Sequence, residues 1–155
     1  MKNIFLFLYF GFVLTYSISC KKSKEPSQFS DWKVNGTEYR SNNVTIITTK
    51  GAAVMECRES EGFAFVWLTS TGFPRGFSGS YPSKIERPNG SGNPREYIYV
   101  YHNGHTYIVS SHEDKYYTIS QNPPVKVEIS VPPTWFVKID NEADSILVEG
   151  VFQEP

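Results

Sequence analysis

Apolar and polar positions alternate with a period of two along most of the chain, and no window of a dozen residues carries a helical period of 3.6. The clearest pair of alternating runs is Asp31–Arg40 (DWKVNGTEYR), split by Asn35-Gly36. Both of these residues tolerate positive φ, so they predict a two-residue type I′ turn. Such a turn fixes the register. Val34 faces Thr37, Lys33 faces Glu38, Trp32 faces Tyr39 and Asp31 faces Arg40, with two opposite-charge pairs on one face and an aromatic pair on the other. A second hairpin follows from Glu96–His102, Asn103-Gly104 and His105–Ser110. It sets Ile98, Val100, Tyr107 and Val109 on one face, and Tyr97, Tyr99, Tyr101, Thr106, Ile108 and Ser110 on the other.

Between the hairpins, strands are expected at Val44–Thr49, Ala53–Arg58 and Phe63–Thr69. The last of these, FAFVWLT, is apolar on both sides, as a central strand covered on both faces would be. Further strands are expected at Tyr116–Ser120, Val125–Val131, Trp135–Asp140 and Ser145–Gln153, the last two joined by a polar loop, Asn141–Asp144. The Gly- and Pro-rich stretches Ser70–Ser80 and Tyr81–Pro94 read as connections. About ten short strands with no helical segment predict an all-β fold, an antiparallel sandwich or barrel over residues 31–155.

The first thirty residues follow other rules. Lys2 precedes an apolar run, Ile4–Leu14, and then a more polar stretch ending in Ser17-Ile18-Ser19-Cys20. Eleven apolar residues reach only ~17 Å as a helix, short of a ~30 Å hydrocarbon core, so a cleaved signal peptide over 1–19 fits better than a membrane span. A cysteine directly after small residues suits a lipobox, with diacylglycerol on Cys20 and two or three acyl chains giving stable anchoring. Residues 20–30 (CKKSKEPSQFS) then form a hydrophilic tether that reaches at most ~35 Å.

Composition narrows the picture further. With Lys2 lost, 14 Lys and Arg stand against 16 acidic residues, a net charge of −2 that offers no footprint for nucleic acid. The chain has two cysteines. If Cys20 carries lipid, Cys57 has no disulfide partner, and within Ala53–Arg58 it is expected to serve as a small buried hydrophobe.

The combination of Cys20, the Lys/Ser tether, the W-x-x-N-G-x-x-Y hairpin from Trp32 to Tyr39, the Gly79-Ser80-Tyr81 element and the closing Gly150-Val151-Phe152 strand resembles small all-β lipoproteins of the Bacteroidetes kind. The resemblance implies an all-β fold and lipid anchoring in the cell envelope, with the outer membrane as the expected membrane. It brings no catalytic residues.

Candidate chemistry is sparse. His102 and His105 oppose each other across the second turn, with His112 and Glu113 nearby, an arrangement that could share Zn²⁺ or Cu²⁺ but lacks a full ligand motif. Beside an exposed turn, polar residues without metal are the simpler account. Asp140–Asp144 begins like a calcium loop, yet Ser145 replaces the required Gly and Val151 the required Glu. Gly76–Ser80 starts like a nucleophile elbow but ends in Ser80 where Gly is needed. Glu59 and Glu61 belong to one short charged segment and do not make a glycosidase pair drawn from separate elements. Tyr97, Tyr99 and Tyr101 project from one side of a strand about 6.8 Å apart and form a candidate ligand platform, unless packing covers them. The reading is a tethered, non-enzymatic binding or structural module with no cofactor, whose partners are the membrane and a glycan or protein. The alternatives are an envelope polysaccharide or peptide hydrolase and a periplasmic metal-binding protein. One outcome follows from the N-terminus alone: Cys20→Ser moves the protein from the detergent phase to the aqueous phase and removes acyl label, as phase partitioning with metabolic labelling would register.

Overall fold

The computed structural model describes residues 29–68, 79–87, 96–122 and 126–154. The expected signal peptide, Cys20, the expected tether to residue 28 and most of the Ser70–Ser80 and Pro88–Pro94 stretches lie outside the described residues. Among the described residues there are eleven strands and no helix.

Both Asn-Gly turns form as their sequences require. Asn35 and Gly36 have φ of 51° and 83°, and Asn103 and Gly104 have 51° and 75°. In the first hairpin, β1 (Ser30–Val34) pairs with β2 (Thr37–Ser41) through Asp31↔Arg40, Trp32↔Tyr39, Lys33↔Glu38 and Val34↔Thr37, the expected register. Ion pairs of 3.3 Å (Lys33–Glu38) and 3.1 Å (Arg40–Asp31) line its outer face. In the second, β7 (Glu96–His102) and β8 (His105–Val109) pair through Tyr99↔Ile108, Val100↔Tyr107, Tyr101↔Thr106 and His102↔His105.

The remaining strands are β3 (Thr45–Thr48), β4 (Ala53–Cys57), β5 (Gly62–Trp67), β6 (Gly79–Lys84), β9 (Tyr116–Asn122), β10 (Lys126–Lys138) and β11 (Asn141–Gln153). One antiparallel sheet runs β2-β1-β11-β10-β8-β7-β5-β4-β3, with β9 also paired to β10 and β6 to β9. The sheet curls into a half-barrel, so its two halves face each other across one core. β5 is central and buried at every position.

Three local readings are revised. Gly79–Lys84 is a strand despite Pro82, because β6 pairs on one side only and an edge strand has a side where a missing N–H costs nothing. The two strands expected around Val125–Val131 and Trp135–Asp140 are a single strand, β10. It survives Pro132-Pro133 because the register against β11 shifts between Val131 and Thr134, so the prolines fall in a bulge. Thr134, fully buried, donates its hydroxyl to the Pro132 carbonyl at 2.7 Å. The segment Asn141–Asp144 is the start of β11, reached through a tight turn at Ile139-Asp140.

The core is a stack of aromatic rings bridging the two halves. Trp32 packs on Tyr39 (6.0 Å), Phe63 (5.5 Å) and Phe152 (6.0 Å), and Phe152 in turn meets Phe63 (4.6 Å) and Phe65 (5.1 Å). Such pairs add about 0.5–1.5 kcal/mol each beyond the area they bury. Cys57 is fully buried, and burial pushes its thiol pKa up from the ordinary value. The first and last strands are clasped together. Ser30 and Gln153 exchange hydrogen bonds, and Glu154 accepts from the Val127 amide at 2.8 Å while its own amide donates to the Val127 carbonyl.

Gly150 explains how Trp32 fits. It lies opposite Trp32 in the β1–β11 ladder, and a Cβ there would fall 2.6 Å from the Trp32 Cα and from the Asp31 carbonyl oxygen. Gly150→Ala is therefore expected to push β1 off β11 and cost at least about 1–3 kcal/mol, read as a lower urea midpoint with an unchanged slope.

A candidate ligand groove on the outer face

Along β9, successive side chains point to opposite faces. Tyr117 is buried among Phe65 and its neighbours, and its hydroxyl donates to Glu96 at 2.6 Å, with Ser83 bonded to the same carboxylate. Burial first, then the Glu96 contact, pushes the Tyr117 phenol pKa far above its ordinary value. Tyr116 therefore faces outward and is 53% exposed. It stands at one side of a groove of about 820 Å³ on the outer face of β2, β1, β11, β10 and β9.

Two rows of the pleated sheet line this groove. Register carries the first from Arg40 through Asp31, Val151 and Ser130 to Thr118. The second begins with Glu38, Lys33 and Glu149 and reaches the groove's far side at Pro132 and Tyr116. The paired charges of β1 and β2 form one wall, Val151 and the Ser130 hydroxyl the floor, and the Tyr116 ring the opposite wall. Arg40 is held on both sides, by Asp31 and by the Phe29 ring 4.1 Å from its guanidinium.

The sites singled out from sequence lie elsewhere. Tyr97, Tyr99 and Tyr101 are half-buried on the outer face of the other half-sheet, opposite Val66, Ala64 and Gly62 of β5. The rings of Tyr97 and Tyr99 meet edge to face, 5.3 Å apart at 78°, so they are not coplanar. Burial raises the Tyr99 and Tyr101 phenol pKa values, with the Glu56 charge adding to the effect at Tyr101.

His102 and His105 are opposed as expected, but their partners differ. The His102 Nδ1 bonds to Glu61, whose other oxygen accepts the Asn103 amide at 3.0 Å, and the Asn103 side-chain amide reaches His102 Nε2 at 3.0 Å. Glu61 thus ties the β4–β5 loop to the second turn. His105 and His112 are exposed, and Glu113 accepts the Trp135 amide at 3.0 Å. Among the described residues no group of three or more His, Cys, Asp or Glu is placed to hold a metal ion.

Around the calcium-loop mimic, Glu142 pairs with Arg87, Asp144 accepts the Tyr107 hydroxyl at 3.3 Å, and Asp140 lies 3.9 Å from Lys138, so the carboxylates turn to different partners. Glu59 accepts from Ser41 at 3.1 Å. Of the elbow-like segment, residues 76–78 lie outside the described residues.

The groove escaped sequence reading because four stretches far apart in the chain supply its walls. The only local sign was the Tyr116-Tyr117 pair, which must put one ring on each face without saying which. Compared with protein-family models, curated proteins and solved structures, the chain matches none.

The Tyr117 environment makes a pH prediction. A phenol whose pKa is higher folded than unfolded contributes stability that is complete below its unfolded pKa, about 10, and is lost as pH rises above it. Urea midpoints are thus expected to fall from about pH 10 upward, and Tyr117→Phe to flatten that fall while starting from a less stable protein.

Proposed function

We propose that the protein is a lipid-anchored, non-enzymatic binding module of the cell envelope, with its ligand held in the groove over β2, β1, β11, β10 and β9. The observation that carries this reading is a filled interior beneath an open exterior groove. Phe63, Phe65, Phe136, Phe152 and Tyr117 occupy the core with under 2% exposure each, so a ligand inside the half-barrel would have to displace them. The outer groove, at about 820 Å³, falls within the ~300–1,000 Å³ of small-molecule sites.

The anchor and tether support the same reading. The hydrophilic segment after Cys20 leads into β1, the strand that forms part of the groove's charged wall. The hydrolase alternative has less behind it, because two of the groove's three carboxylates, Asp31 and Glu38, are engaged by Arg40 and Lys33, which leaves Glu149 without a second carboxylate to work as an acid–base pair. The metal-carrier alternative has less as well, because both ring nitrogens of His102 are engaged by Glu61 and Asn103.

The test uses the full-length chain purified in detergent and incubated with solubilised envelope polysaccharide and protein fractions. Val151→Lys places a long cation on the groove floor. It is expected to abolish ligand retention without changing the thermal midpoint by more than a few degrees, since Val151 is 37% exposed. Release of new reducing ends or peptides by the wild-type protein would favour the hydrolase.

A further inference from the structure

We infer that the groove takes a short, uncharged oligosaccharide, a step that rests on the groove being the binding face. The charges come first. Two cations, Lys33 and Arg40, and three carboxylates, Asp31, Glu38 and Glu149, line it, and both cations are already paired. An acidic glycan, nucleic acid or phosphorylated headgroup therefore meets a lining with one more carboxylate than cations, and each cation already has a carboxylate beside it. A neutral, hydroxyl-rich ligand can instead share these groups, because a paired carboxylate keeps acceptor sites and a paired guanidinium keeps donors.

The ring comes second. Tyr116 is the most exposed large hydrophobic side chain of the described residues at 53%, and its strand is pinned by the part-buried Tyr117–Glu96 bond. A rigid, half-open phenol offers an apolar face for the C–H face of a pyranose and a hydroxyl at its rim. Between ring and charged wall, the floor alternates apolar Val151 with the hydroxyls of Ser130 and Thr118, a mixture that matches the alternation of C–H and O–H on a sugar.

Shape completes the case. From β2 to β9 is four strand spacings, about 19 Å, so the groove crosses the strands as a trough suited to a linear oligomer. An extended peptide would seek an open strand edge for its backbone hydrogen bonds. Here β1, β11 and β10 have neighbours on both sides, and the one open edge at the groove, that of β2, lies at its rim, so a peptide added there would run beside the trough and not across it.

The experiment is calorimetric titration of the full-length protein in detergent with neutral oligosaccharides of increasing length, beside polyuronates and an acidic and a basic peptide. Neutral oligosaccharides are expected to bind, with affinity rising with length to a plateau and little dependence on salt. Tyr116→Ala should weaken binding about tenfold and Val151→Lys should abolish it, while Ile47→Ser on β3 leaves it unchanged. Failure of every neutral oligosaccharide to bind overturns the inference. If a polyuronate or peptide binds instead and Val151→Lys abolishes that, the ligand class is wrong and the groove stands. Binding of neutral sugars that ignores both groove variants overturns the groove as the site.

Discussion

β10 has to serve both halves of the half-barrel, and a chain segment that cannot donate hydrogen bonds lets it do so. On one side it pairs with β11 over nearly its full length. On the other it pairs with β9 up to Ser130 and with β8 from Phe136 onward. Between these stretches lie Pro132 and Pro133, which have no backbone N–H, and a bulge absorbs the register shift. A regular strand would have carried one flat ladder onward. The break turns the sheet over, brings β1, β11 and β9 to face β5, and so creates the core. The same residues shape the exterior, since Ser130 and Pro132 belong to the groove.

The interior and the groove are thus two faces of the same strands. Trp32 and Phe152 point inward to the aromatic stack while their neighbours Asp31, Lys33 and Val151 point outward. Gly150 belongs to both, for by lacking a side chain it lets the Trp32 backbone sit close to β11. A groove built on well-packed strands changes shape little when occupied, so less ordering cost opposes binding there than at a loop-built site.

What the sequence disclosed follows the range of the interactions involved. Both Asn-Gly hairpins, their facing pairs and the central character of Phe63–Trp67 could be read because two-residue turns and period-two patterns are local. β6 was missed because Pro82 is forbidden only in a strand paired on both sides, and the sequence does not state which edges are free. The continuity of β10 was missed for a related reason: a Pro-Pro step reads as a stop unless the bulge that accommodates it is known. The groove could not be read at all. Arg40, Tyr116, Ser130 and Val151 become neighbours only through sheet order, and their individual contexts resemble any exposed strand position. The tyrosine row and the opposed histidines, by contrast, stood out in sequence because they are close in the chain.

The clasp between Ser30 and Gln153 sets a mechanical path. A protein held at its N-terminus transmits tension into the fold at Ser30, the first residue of β1, which is laddered to β2 on one side and β11 on the other. A pull along that strand loads both ladders in shear, with many hydrogen bonds resisting together instead of opening one by one. With the proposed ligand in the groove and the proposed anchor at Cys20, force between the two would enter at β1 and β11 and cross only a few strands. The half-sheet from β8 to β3 would lie outside that line.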